Sequence, residues 1–288
     1  MTKLCRRLVI CTFSVAFATL SIASAQQYTT IDFPGATATS LNGGPNPEGT
    51  NIGSYTTGGV THGFVLKKGV FRSFDPPGST FTVPNWISPQ GVIVGQFFDS
   101  SGVSHGFVLA GGNYTTVDFP GAPGTGLTSL NPSGQMSGFR CDAAPCNTTT
   151  HSFVLSKKGN FTSFDPPGAT SSLAVTVIAS GAVFGSYTDS GGVGHGYLLY
   201  HGTFTTIDFP GASFTFVGGA NPEGDCVGEY ISGGVAHSFL LSNGVFTSFD
   251  PPGTGPFGSD AAGINPSGVI VGLYFDSGGV QHGYIRTP

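Results

Sequence analysis

Beyond residue 25 the chain alternates short runs of Thr, Val, Ile, Phe and Tyr with clusters of Gly, Pro, Asn, Asp and Ser. Val92-Ile93-Val94-Gly95-Gln96-Phe97-Phe98-Asp99 is a clear run. β-Branched and aromatic residues between turn formers are the mark of strands. No stretch holds a helical apolar period. Gly recurs every few residues and would cost a helix interior about 1 kcal/mol at each occurrence. The pattern predicts an all-β chain. Ahead of it, Lys3, Arg6 and Arg7 precede an almost uncharged apolar run, Leu8 to Ala23, and Ala23-Ser24-Ala25 supplies small residues for cleavage. The run is short for a membrane span, and no other stretch approaches one. Cys11 follows Ile10, where a lipid-attachment site would want a small residue. Residues 1–25 are therefore expected to be a signal peptide and residues 26–288 a single exported domain, secreted or periplasmic in a bacterium, without a membrane span.

That domain is one motif written six times. Tyr28 to Gly35 returns as Phe71–Gly78, Tyr114–Gly121, Phe161–Gly168, Phe204–Gly211 and Phe246–Gly253, at spacings of 43, 43, 47, 43 and 42 residues. Between the copies recur Asn-Pro-x-Gly (Asn46, Asn131, Asn221, Asn265), an apolar strand, and His followed by Gly or Ser and an aromatic residue. About four short strands per unit is the size of a propeller blade. One such sheet cannot bury both faces alone, so units must stack on one another. The sequence predicts a six-bladed β-propeller of four-stranded blades. The repeat opens on the last strand of a unit and ends on the third, so the N-terminal strand is expected to complete the last blade, with Asp32 facing His282. Copies one, three and five read Asp-Phe-Pro-Gly (Asp32, Asp118, Asp208), whereas the others read Asp-Pro-Pro-Gly (Asp75, Asp165, Asp250). A two-blade unit and pseudo-threefold symmetry follow.

The spacing from His to the next Asp is 13 for His62/Asp75, His105/Asp118, His195/Asp208 and His237/Asp250, and 14 for His151/Asp165. Thirteen centres the hairpin on an x-Gly pair and sets His opposite Asp on one sheet face. A structural His–Asp pair is predicted in each blade. Acid–base catalysis is the alternative, but a catalyst needs one special place and a scaffold needs the same bond everywhere.

The run Gly-x-x-His-Gly/Ser-Phe-x-Leu, then a Gly turn and a strand ending in Asp, resembles the HAF-type extracellular repeat of bacterial exported proteins. The resemblance spans the whole mature chain and implies a β-propeller with no assigned activity. Gly or Ser stands here where that family has Ala after His, and Phe-Pro-Gly or Pro-Pro-Gly follows Asp.

Composition narrows the chemistry. Charged residues are 9%, Gly 47, Pro 20, Phe 25 and Trp 1, with 39% apolar residues. That is too aromatic for disorder and lacks the period of collagen. Beyond the leader, 7 Lys+Arg face 15 Asp+Glu, and basic residues cluster no further than Lys67-Lys68 and Lys157-Lys158. A nucleic-acid partner is excluded. Cys141 and Cys146 flank a short inserted loop and are expected to form a disulfide, whereas Cys226 occupies the slot of Ile93, Val183 and Ile270, a small buried hydrophobe. Departures from the repeat mark candidate ligand positions. Trp86 could stack on a sugar or fill core. Glu223, Asp225 and Glu229 lie close in sequence and could hold a cation, act as a paired acid and base, or form a solvated rim. Asp99, Asp189 and Asp276 read as Asx turns. No nucleophile elbow, zinc motif or phosphate loop occurs. The expectation is a monomeric binding protein for a glycan or cell-surface protein, without metal or cofactor. The alternatives are a propeller hydrolase or lyase with carboxylates at the channel mouth, and a structural surface or matrix repeat.

Overall fold

The computed structural model describes residues 26–144, 146 and 149–288. The expected signal peptide lies outside the described residues. Every regular element among them is a strand. β1 (Gln27–Ile31) precedes six successive units. The first holds β2 (Ala38–Asn42), β3 (Asn51–Thr57), β4 (Val60–Lys67) and β5 (Val70–Phe74). The second holds β6 (Phe81–Ile87), β7 (Ile93–Phe98), β8 (Ser104–Ala110) and β9 (Asn113–Val117). The third is β10 (Gly124–Leu130), β11 (Met136–Cys141), β12 (Thr150–Leu155) and β13 (Phe161–Phe164). The fourth is β14 (Ala169–Val177), β15 (Val183–Asp189), β16 (Gly194–Tyr200) and β17 (Thr203–Ile207). The fifth is β18 (Phe214–Ala220), β19 (Cys226–Ser232), β20 (Val235–Ser242) and β21 (Val245–Phe249). The sixth supplies β22 (Ser259–Ile264), β23 (Ile270–Phe275) and β24 (Gln281–Thr287).

Within each unit the strands pair antiparallel in chain order, and β1 pairs antiparallel with β24, Gln27 opposite Thr287 through Ile31 opposite Gly283. One difference from six separate blades is found. Single parallel bridges, Ala38 to Gln281 and Thr61 to Phe81, join the sixth, first and second units into one hydrogen-bonded sheet. They form where the start of one first strand touches the third strand of the sheet before it.

Local chemistry sets the register. Lys68-Gly69, Gly111-Gly112, His201-Gly202 and Asn243-Gly244 all carry positive φ at both positions, the primed turn whose twist matches a hairpin. In the third unit Ser156 N donates to Asn160 O at 2.9 Å, a longer loop that accounts for the spacing of 14. Gly in the second strand is required by packing. A Cβ on Gly95 would lie 2.7 Å from Phe107 Cε1, and one on Gly138 would lie 2.6 Å from Phe153 Cζ. The aromatic ring of the third strand crosses that bare backbone and is fully buried at Phe64, Phe107, Phe153, Tyr197, Phe239 and Tyr284.

Apolar side chains form clusters that each straddle two neighbouring units. Ile207 of the fourth packs with Val217 and Phe239 of the fifth, and Val271 of the sixth packs with Leu41 and Phe64 of the first. The two-unit alternation has a packing cause. Phe33 and Phe209, which follow Asp, stack on Tyr55 and Tyr230 at 3.6 Å, and Phe119 lies under the Arg140 guanidinium. In the other three copies Pro stands there, and the Phe before Asp turns inward: Phe74 against Phe107, Phe164 against Phe204, and Phe249 under Arg286.

Candidate functional site

Two sets of polar residues stand out. The first is repeated around the molecule. Each repeat His places Nδ1 on its Asp: His62–Asp75 at 2.7 Å, His151–Asp165, His237–Asp250 and His282–Asp32 at 2.8 Å, His105–Asp118 and His195–Asp208 at 3.0 Å. An aromatic ring of the neighbouring strand covers each of four imidazoles, with Tyr55, Phe97, Tyr187 and Tyr274 stacked at 5.0–5.2 Å. The structure adds partners that an Asx turn alone did not announce. Asp99 Oδ1 accepts the N–H groups of Ser101 and Val103, and its other oxygen faces His105 Nε2 at 3.6 Å. Asp189 and Asp276 repeat this toward His195 and His282, and Asp142 takes His151 Nε2 at 2.9 Å. The backbone N–H groups of Val103, Val193 and Val280, helped by the histidines, hold Asp99, Asp189 and Asp276 below the usual carboxylate range. Burial pulls the His151 and His282 imidazoles down, but hydrogen bonds to two carboxylates each outweigh it and leave both raised. Four of these six sites are thus Asp–His–Asp bridges, which favours a clasp repeated over a single catalytic centre.

The second set is not repeated. The first strands of all six units line one central cavity of about 150 Å³. A β-bulge in β6, β10, β14, β18 and β22 pushes Asn85, Thr128, Val175, Gly218 and Ala262 out of the ladder, and all five line it, with Asn42 of β2. Asn42 and Asn85 each donate an amide N–H to a carbonyl of the next first strand, Pro84 O and Leu127 O. Asp260 of β22 also lines the cavity. Its Oδ1 is shielded from solvent and has no hydrogen-bond partner, and the same holds for Thr176 Oγ1. Burial raises the Glu229 carboxyl; burial and then the charge of Glu229 raise Asp260.

Trp86 is partly buried on β6 and lines both this cavity and an adjoining one of about 110 Å³. The second space is walled by the repeat's turn prolines, Pro47, Pro89, Pro132, Pro222 and Pro266, and by Leu130 and Ile264. The fourth unit has Ala179 at that place in its turn and contributes no proline.

Glu223, Asp225 and Glu229 do not converge. Glu223 is exposed in the turn, and Asp225 is tied back to Asn221, giving its N–H and accepting the Asn221 amide at 3.1 Å. Glu229 sits four residues further along an extended strand, roughly 13 Å away at about 3.3 Å per residue, where its charge acts on Asp260 of the next sheet instead. Asp260 stands where the other first strands carry Ser40, Val83, Gly126, Leu173 and Phe216. That departure was the available signal. Cys141 and Cys146 form a disulfide, and Cys226 is fully buried, its thiol pushed up to about 12 by burial. Among the described residues no three His, Cys, Asp or Glu side chains group as a metal site would need, and no helix is long and apolar enough to cross a membrane.

No protein-family model and no curated protein matches the chain. Solved structures do. It superposes on virginiamycin B lyase from Staphylococcus aureus with a TM-score of 0.56 at 12% identity, covering 92% of this chain and 100% of that one. AofleA from Arthrobotrys oligospora gives 0.57 at 11% identity, covering 91% and 86%. The Aleuria aurantia lectin, a fungal lectin described as a six-bladed β-propeller, gives 0.53 at 12%, covering 87% and 91%. At these identities the likeness is one of fold: the chain has the architecture of a six-bladed β-propeller.

Proposed function

We propose that this chain is an exported propeller of HAF-like repeats that binds a glycan or a surface protein at one mouth of a closed six-bladed ring. Ring closure is supported by the β1–β24 pairing, the His282–Asp32 bond and the packing of Val271 on Leu41. The ligand reading is carried by one observation. The sole tryptophan of the chain, Trp86, bridges the central cavity and the proline-walled mouth, where an aromatic face can stack on a sugar. Structures of the Aleuria lectin with fucosylated ligands fit a carbohydrate partner on this architecture. The test is a glycan array with the wild-type chain and Trp86→Ala. Glycan hits that vanish in the variant support the proposal, and an array without hits rejects the glycan arm. A second reading, a hydrolase or lyase, draws on the Glu229–Asp260 pair. It requires turnover of a lactone or glycoside panel that Glu229→Gln abolishes.

A further inference from the structure

The central cavity contains an electrostatic problem that its own walls do not solve. One carboxyl, Asp260, stands on its wall within the field of a second, Glu229 of the neighbouring sheet, and no Lys or Arg lines the space. Asp260 Oδ1 has no hydrogen-bond partner although it is shielded from solvent. A buried polar atom in that condition costs about 1–3 kcal/mol, and more when charged. Thr176 is only 1% exposed and its Oγ1, on the same cavity, is also without a partner. Two such orphans on one cavity are hard to reconcile with a wall that serves packing alone. The remaining lining shows what would satisfy them. Asn85, on the same wall, gives one amide N–H to Leu127 O and keeps its carbonyl oxygen as an acceptor. Trp86 and Phe216 bring aromatic surface, which attracts cations. Acceptors, negative charge and π-faces together fit a guest that donates hydrogen bonds, carries positive charge and has an apolar body. At about 150 Å³ the cavity matches those known to hold a benzene-sized molecule. Only one carboxylate lines the space, too few to build a coordination shell from side chains, so an organic cation suits it better than a metal ion.

We infer that the central cavity binds a small organic cation, an ammonium group on a compact apolar body, with Asp260 as its counter-charge, Glu229 adding its field from the neighbouring sheet, and Trp86 and Phe216 against its carbon skeleton. The site is independent of the glycan reading, because an array without hits would leave it standing.

The experiment is isothermal titration of the purified chain with n-propylammonium chloride at neutral pH, with 1-propanol as the uncharged control and emission of the single Trp86 as a local reporter. Saturable binding of n-propylammonium, none of 1-propanol, and a shift in Trp86 emission are expected. Asp260→Asn and Glu229→Gln are each expected to weaken binding about tenfold or more, the scale of losing a charge-assisted contact. Both variants replace a carboxyl whose ionisation the fold disfavours, so both should melt no lower than the wild type, which separates lost binding from lost folding. No saturable heat for n-propylammonium, equal binding of 1-propanol, or undiminished binding by both variants would overturn the inference. The first outcome is what a carboxyl pair that merely shares a proton would give.

Discussion

Asp260→Asn should make this protein more stable. In the native state Asp260 Oδ1 is buried without a partner, and the carboxyl is raised from its ordinary 3.8 by burial and then by the charge of Glu229. An acid whose native pKa lies above its unfolded value destabilises the fold once pH exceeds the unfolded value. The penalty grows until the native carboxyl itself ionises. Asparagine keeps a polar atom there but has no proton to hold against solvent, so it should recover the linkage penalty, on the order of 1–3 kcal/mol at neutral pH. In a chain of this size each kcal/mol corresponds to roughly 2–4 °C in Tm, so a rise of about 2–12 °C is expected. Differential scanning calorimetry of both proteins from acid to mildly alkaline pH tests it. The gain should be small near the unfolded carboxylate value and widen as pH climbs. A lower Tm for the variant at neutral pH, or a gain that ignores pH, would show that Asp260 is satisfied in a way the geometry does not reveal.

Three further perturbations probe the scaffold. Replacing Cys141 and Cys146 together by Ser opens a loop with a sequence separation of 5, and chain-entropy arguments give a loss of about 2 kcal/mol, read as a lower urea midpoint that reducing agent reproduces in the wild type. Deleting residues 26–32 strips β1 from β24 and bares a sheet edge, so concentration-dependent association should appear in light scattering; a truncated chain that stays monomeric with an unchanged melt would count against the β1 clasp. His151 and His282 have raised native pKa values, so their contribution, about 0.5 kcal/mol each after solvent screening, should be complete below the ordinary 6.5 and fade as pH rises through the native value, a slope that His282→Asn flattens.

What could be read from the sequence was whatever is local or periodic. The His-to-Asp spacing of 13 fixes a two-residue turn, and Lys68-Gly69 or Asn243-Gly244 can supply its positive φ, so the register of four hairpins and their His–Asp contacts followed from counting. Asp99 was only half legible. Its Asx turn accounts for one oxygen, and nothing in a linear reading says that the other reaches His105. The acids of the fifth unit were misplaced for the opposite reason. Asp225 and Glu229 are near in sequence, but an extended strand separates them, and the carboxyl that feels the Glu229 charge, Asp260, lies in the next sheet, 31 residues on. A contact made once, across a sheet boundary, has no period, so no count along the chain could announce it.

The same contrast says where a ligand belongs. The His–Asp clasps recur in all six units because every sheet faces the same mechanical demand there. At the bulges of the first strands the demand differs, since those side chains face a cavity as well as the next strand. Packing would accept one small residue repeated six times. Instead Asn42, Asn85 and Thr128 make one side polar, Val175, Gly218 and Ala262 leave the other small or apolar, and Asp260 adds a single acid. Six-fold or three-fold occupancy is incompatible with such walls, because no two sectors offer the same groups. A guest of this cavity must therefore bind once per chain and in one orientation. Titration should return a stoichiometry of one, and a value of three or six would move the site from the axis to the repeated rim.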